Sequence, residues 1–314
     1  MMSLVRRPIV AVSLLWSSMA MADELVDAEI TAVGRTVVAH PSSNLATTFN
    51  PAALSLTERY DVNGAFRVGP TGDLRWMAGI ADASTNPYVS FGFVYEGGLT
   101  RPALLDEEYP GWWPDGEVIP NGRRNHDLTF ALASPFLDRR LSVGLNGTLT
   151  ILDTDRIGTG TTGNMDLGLA ARPIDQLTLG FAARDILPIA QQYSRPTTFA
   201  LGVRGGIPDV IHGSVEVDIR TEQVQQGPVD VGVGVDGRVK FIELRAGYRY
   251  LGNTADHALA LGLGLGNDAG HLAYAVTVPL EDTTFAGTTH TISIVIKTAG
   301  IDRMEQDVLR GRSR

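Results

Sequence analysis

Long runs of strictly alternating residues recur along this chain, and alternation of that length leaves few folds open. In LSVGLNGTLTI, Leu141, Val143, Leu145, Leu149 and Ile151 share one face of an extended backbone, while Ser142, Gly144, Asn146, Thr148 and Thr150 share the other. LTLGFAARD repeats the pattern, with Leu177, Leu179, Phe181 and Ala183 opposite Thr178, Gly180, Ala182 and Arg184. FALGVRG, VEVDIR, VDVGVGVD, IELRAGYRY and LALGLGLG follow it too. About fourteen such segments of roughly 8 to 12 residues can be drawn, the length a tilted strand needs to cross an outer membrane. They are expected over 59–68, 73–82, 87–96, 125–134, 140–151, 163–171, 176–185, 196–205, 210–220, 228–236, 239–250, 257–266, 271–279 and 289–298.

The links between these segments differ by parity. After even-numbered segments they are tight: STNP, PFLDR, RPID, GGIPD, DG and GNDAG. After odd-numbered segments they run longer, including GLTRPALLDEEYPGWWPDGEVIPNGRR, DTDRIGTGTTG, LPIAQQYS, TEQVQQG and PLEDTTFAGTT, although the first odd link is short. Short turns at one end, longer loops at the other and an even strand count predict an all-β, antiparallel up-and-down transmembrane barrel with both chain ends in the periplasm. Nothing after Ala22 offers the ~18 consecutive apolar residues of a membrane helix, so such a chain enters a bilayer as a closed barrel.

Residues 1–22 read as an export signal. Arg6 and Arg7 form a basic start, PIVAVSLLW is apolar but too short to span, and Ala20-Met21-Ala22 is a small-residue cleavage site. Export and strand length together predict the bacterial outer membrane, with its lipid as the surrounding partner. The formal charge of −9 becomes two units more negative once Arg6 and Arg7 are removed, which argues against a nucleic-acid partner. The absence of cysteine excludes a lipid-modified cleavage site, disulfides and thiol chemistry.

Residues 23–57 do not alternate. VDAEITAVGRTVVAH and SSNLATTFNPAALSLTERY read as a short, partly helical plug or hatch, with Asn50 capping and Pro51 opening a helix over AALSLT. The barrel is expected over 58–298 and a charged periplasmic tail over 299–314.

NPAALSLTERYDV, FALASPFLDRRLSVGLNGTLTIL and LTLGFAARDILPIAQQYSRPTTFALGVRGGI together resemble the FadL/PorV superfamily of bacterial outer-membrane β-barrel proteins, over nearly all of the chain after the signal. The resemblance implies a plugged barrel of fourteen strands. For the transporter branch it implies passage of small hydrophobic or amphipathic molecules, which leave sideways through a gap in the wall. Asn50, Pro51 and Ala52 match the plug motif. The last strand ends near Ile296 and Lys297, followed by a charged tail where such barrels often finish on an aromatic, and the loops are short for an external capture site. The alternative implied by the resemblance is a PorV-like barrel that acts as a non-transporting scaffold in secretion or surface assembly, with an envelope protein as partner.

If the apolar faces meet lipid, the other faces line the lumen. They carry Arg67, Arg75, Asp127, Asp166, Arg184, Arg204, Glu216, Asp218, Arg220, Asp230, Glu243, Arg245 and Arg249. An ion-pair ladder between neighbouring strands and a polar permeation path are both open readings. Leu45, Phe49, Leu54 and Leu56 of the plug offer the apolar surface that a hydrophobic ligand would need. Phe66, Trp76, Phe91, Phe93, Tyr95, Tyr248, Tyr250 and Tyr274 fall on the outward face, as an interfacial belt would.

In the link after the third strand, Tyr109, Trp112 and Trp113 stand beside Asp106, Glu107, Glu108 and Asp115. That segment suits a gate, a capture lip or a partner contact, and a bound calcium ion there stays open. His212-Gly213-Ser214 sets an imidazole and a hydroxyl on one face, a pairing similar to outer-membrane phospholipases. Parity with Val215, Val217 and Ile219 turns both inward, so no catalysis is expected. Histidines 40, 126, 212, 257, 271 and 290 lack ligand spacing, and no glycine-rich phosphate loop precedes a helix, so neither metal nor cofactor is expected.

Overall fold

A computed structural model of the chain describes residues 27–41, 45–69, 73–100, 123–154, 158–187, 196–208, 210–221, 227–252, 255–267, 269–280 and 287–298. The expected signal, the tail over 299–314, and Tyr109, Trp112 and Trp113 lie outside the described residues.

Fourteen antiparallel strands form a closed barrel. They are β1 (Tyr60–Val68), β2 (Leu74–Asp82), β3 (Ser90–Thr100), β4 (Arg123–Phe136), β5 (Leu141–Thr154), β6 (Gly158–Ile174), β7 (Leu177–Arg184), β8 (Thr198–Ile207), β9 (Ile211–Arg220), β10 (Val229–Val239), β11 (Ile242–Leu251), β12 (Asp256–Asn267), β13 (Gly270–Pro279) and β14 (Thr289–Thr298). Each pairs with its sequence neighbours, and β1 meets β14 without interruption from Tyr60↔Thr298 to Val68↔His290. Closure leaves no sheet edge along that seam, which is what hydrocarbon surroundings demand of a backbone.

Alternation sorts side chains as the periodicity predicts. Leu201, Leu261 and Ile294 stand outward at 56%, 61% and 50% exposure, whereas Ala200, Ala260 and Ser293 beside them are buried. A wall of exposed leucine, isoleucine, valine and phenylalanine around a polar interior is a surface for lipid.

The differences from the sequence reading concern strand length. β3 is displaced toward its C-terminal end, and β4, β5 and β6 run past the expected ends, leaving only residues 155–157 between β5 and β6. Those extensions are Thr-, Gly-, Arg- and Asp-rich, so the apolar alternation that marks a strand stops before the ladder does. Asp236-Gly237 is no turn. β10 continues to Val239, and the reversal is at Lys240, with φ 58°, and Phe241. The Asp-Gly hairpin signal is overridden because Asp236 points inward to a basic partner and Gly237 pairs with Ile211.

Among the described residues, three short elements precede the barrel: α1 (Ala28–Ala32), α2 (Ala46–Phe49) and a 3-10 helix (Pro51–Leu56). α1 packs on β11–β14 and the 3-10 helix on β3–β6.

Leu261→Arg, which sets a charge near the middle of the outward face of β12, is expected to cost about 2–4 kcal/mol of folding stability in bilayers. A change near zero in a vesicle-based urea titration would contradict a lipid-facing wall.

Candidate functional site

The barrel interior is glycine-lined where the N-terminal segment touches it. A side chain at Gly144 would strike the backbone of Pro51 and Ala52, and one at Gly234 the backbone of Val33. These inward glycines let one backbone lie against another, a close approach that any Cβ would forbid. Ile30, Val37, Val38, Leu45 and Phe49 form one buried cluster over this floor, with Ala182 and Ala200 from the wall.

Polar groups fix the segment at several heights. Asn50 is fully buried. Its Oδ1 accepts from Ala52 N (3.2 Å), and its Nδ2 donates to Val38 O (2.7 Å) and Leu169 O (3.2 Å). One amide thus caps the 3-10 helix that Pro51 opens and ties two parts of the segment to β6. Asn146 donates to Thr47 O (2.9 Å) and Thr48 O (3.1 Å).

Glu216 accepts from Val38 N (2.7 Å), and Ser214 shares a hydrogen bond with Thr36 (2.5 Å). Arg139 closes the other side, donating to Ser55 O (3.0 Å) and Ala83 O (2.8 Å). It stands at the end of a turn in which Leu137, Asp138 and Arg139 all have positive φ (50°, 53° and 62°). Left-handed backbone costs about 1–2 kcal/mol at a non-glycine residue, so the two carbonyl contacts offset real strain.

The charged wall residues fall into groups. Arg245 bonds Glu29 of α1 (2.8 Å) and Glu243 on its own strand, and Glu29 also meets His271. Arg204 makes a two-pronged pair with Asp236 (2.5 and 3.0 Å), which His212 also contacts (3.3 Å). Arg184 pairs with Asp218 (2.7 Å) and lies over the Phe49 ring, 5.5 Å from its centroid. Arg220 and, at 3.8 Å, Arg249 meet Asp230. Two of these pairs, Arg184–Asp218 and Arg204–Asp236, join strands two apart and span the strand between them, so the ladder does not simply run between neighbours.

Asp127 takes the Thr150 hydroxyl, and Asp166 accepts from Asp185 N (2.7 Å). Arg67 and Arg75 sit directly opposite each other at the long-loop end of β1 and β2. Glu29, Asp236, His271, Asn146 and Arg139 were not singled out from the sequence. Of these, Asp236 was legible, since it continues the inward parity of Asp230, Gly232 and Gly234. His212 faces Asp236 and Ser214 is held by Thr36, so the two do not form a nucleophile and base.

Above the segment, the recess between Thr48, Glu96, Asp127, Asn164 and Arg184 holds about 20 Å³, room for one water. Enclosed small-molecule sites hold ~300–1,000 Å³. This recess falls far below that range.

Three groups of the segment titrate unusually. Burial, and then the neighbouring Glu29, push Asp27 up to about 7 from 3.8. Burial opposes the charge on Glu29 too, but Arg245 and His271 outweigh it and hold that carboxyl below its usual range. Burial, and then Arg204, push His40 down to about 3.

Between pH 3.8 and about 7 the folded state keeps a proton on Asp27 that the unfolded chain has lost, so its contribution to stability falls as pH rises through that window. His40 is opposite in sign: it stays neutral in the fold and charges in the unfolded chain below 6.5, so stability is lost on acidification toward about 3. Asp27→Asn keeps the N-cap on Ile30 without needing the proton. Its advantage over the wild type in the urea midpoint for protease cleavage within 27–57 is expected to grow from pH 5 to pH 7, by about 1.4 kcal/mol per pH unit. A difference independent of pH would contradict it. Asn50→Ala, measured the same way, is expected to loosen the segment by about 2 kcal/mol, through the lost cap and the orphaned carbonyl of Val38.

No family model matches the chain, and no curated protein does. Solved structures do. The Ralstonia pickettii toluene transporter TbuX aligns at TM-score 0.58 and 16% identity, over 87% of this chain and 97% of that one. The Pseudomonas putida toluene transporter TodX aligns at 0.59 and 12%, over 88% and 98%. The monoaromatic hydrocarbon channel CymD aligns at 0.60 and 11%, over 87% and 96%. The chain therefore shares its fold with these three barrels.

Proposed function

We propose that this protein is an outer-membrane channel for small hydrophobic or amphipathic molecules, which enter from the long-loop end and leave sideways through the wall. The observation that carries the reading is the mismatch between β6 and β7. β6 has 17 residues and β7 has 8. Their ladder begins at Leu167↔Ala183 and β7 ends at Arg184, so β6 from Gly158 to Asn164 extends past the end of its neighbour strand. Ile186 N reaches Met165 O (3.0 Å), and no described strand borders β6 on that side beyond it.

The floor of the lumen is occupied by the N-terminal segment, which on this reading acts as the plug. On this reading a neutral solute above it finds the axial path closed by the segment and, among the described residues, the wall interrupted beside upper β6. The bilayer then draws the solute out, at roughly 25 cal/mol for each Å² of apolar surface removed from water. The neighbouring folds whose proteins carry toluene and other monoaromatic hydrocarbons support small solutes as the class. Tyr109, Trp112 and Trp113, in the loop between β3 and β4, supply a capture surface on this reading.

The chain has no cysteine, so an engineered disulfide is unambiguous. Asn164 Nδ2 and Asp185 Oδ1 already meet across the foot of the opening. Oxidised Asn164→Cys/Asp185→Cys protein is expected to take up labelled toluene several-fold more slowly in outer-membrane vesicles, with the rate restored by reductant. Uptake that ignores the redox state would sink the lateral route.

A further inference from the structure

The outward face of β2–β6 changes character over a few rows of its ladder. Trp76, Gly97 and His126 lie directly opposite one another in one row, and Leu99, Arg124 and Asp153 in the row nearer the long-loop end. Below come Tyr95, Leu128 and Leu149, then Phe93, Phe130 and Gly147. Polar and cationic groups above, apolar groups below, is the profile of a bilayer interface.

Three details make this patch more than a belt. The Tyr95 hydroxyl bonds His126 Nδ1 at 2.8 Å, with the rings stacked 6.0 Å apart. With the phenol donating, Nε2 of that imidazole is left as a donor. Arg124 is exposed and forms no ion pair among the described residues. Asp153, directly opposite it, takes the Thr159 hydroxyl instead (3.3 Å).

Immediately below, Leu128, Phe130, Gly147, Leu149 and Gly163 line a concavity of about 250 Å³ in the outer wall. It exists in part because Gly147 has no side chain: a Cβ there would find nothing nearer than Asn164 O at 3.9 Å. That volume is below the ~300–1,000 Å³ of an enclosed ligand site and suits part of a chain lying along a wall. Two other outward pairs, Tyr248–His257 and Tyr274–His290, repeat the Tyr–His contact. Their surroundings differ: Tyr250 is opposite His257, and Val68 and Val276 flank His290, so among the described residues no cation lies in the same row as either histidine.

We propose that this face binds one membrane lipid, its phosphate headgroup on Arg124 and the Tyr95–His126 pair and an acyl chain in the concavity beneath. The proposal rests on the membrane-spanning reading of the barrel, not on the lateral route. Arg124 supplies a charge-assisted donor to phosphate, and the imidazole a second donor from the next row. Asp153 suits a headgroup that carries an amine beside its phosphate, so phosphoethanolamine is the probe of choice.

Trp76 shares a row with His126 and reports on the patch once Trp112→Phe and Trp113→Phe silence the loop. The chain from Asp23 onward, which lacks Trp16 of the expected signal, carries these two changes and is reconstituted in digalactosyl diacylglycerol vesicles. These are doped with phosphatidylethanolamine or with digalactosyl lipid, each brominated on its chains. The phosphate lipid is expected to quench Trp76 at a mole fraction about tenfold lower, the worth of one charge-assisted hydrogen bond.

Arg124→Ala, which removes the cation, and Gly147→Leu, which fills the concavity, are each expected to abolish that preference while the barrel keeps its heat-dependent gel mobility. Equal quenching by the two lipids, or a preference that survives both substitutions, overturns the proposal. Quenching by neither lipid overturns it together with the membrane-spanning reading.

Discussion

Backbone satisfaction in hydrocarbon is the constraint on which the rest of this structure depends. A peptide group facing lipid has no water to turn to, and each unpaired one costs several kcal/mol. Closing β1 on β14 removes the sheet's edges at the seam, and it creates an interior whose side chains answer to different rules from those outside. Apolar residues are expelled to the outer face, where burial in protein is not needed. The interior is left to glycine, alanine, small hydroxyls and paired charges.

That interior is then built around a second constraint, the close passage of the N-terminal segment. Glycine at inward positions such as Gly144 and Gly234 brings backbone against backbone. The cost is that buried polar groups on both sides must find partners. Asn50, Glu216, Asn146 and Arg139 supply them, and Arg139 does so from a left-handed turn. Glu29 carries its charge into the wall because Arg245 and His271 receive it there, whereas at Asp27, two residues away, burial and the neighbouring Glu29 outweigh the same two cations and push the carboxyl up to about 7. The segment is therefore held by an ion pair at α1, and by close backbone packing together with hydrogen bonds to Asn50 and Arg139 at the 3-10 helix.

The fold was largely legible because period-2 alternation is a local signal. β12, written LALGLGLG, and β10, written VDVGVGVD, announce their faces residue by residue. Legibility failed where the local signal ends before the ladder does, at the polar upper reaches of β4, β5 and β6, and at Asp236-Gly237, where a strong turn motif is held in a strand by Arg204. For the candidate site, parity tells which face a charge occupies but not what it touches. Glu29 and Arg245 are 216 positions apart, and nothing in either neighbourhood encodes their meeting. The height of β6 over β7, on which the functional proposal turns, is a relation between two strand lengths that no single segment reveals.

On the proposed function, the axial path is shut while a hydrophobic path through the wall is open. Ion conductance and monoaromatic uptake, measured on the same reconstituted protein in the same lipid, test it most directly. The account predicts hydrocarbon uptake above that of protein-free bilayers with no steady ion conductance. A persistent, porin-like conductance would reveal a water-filled axial path and contradict it.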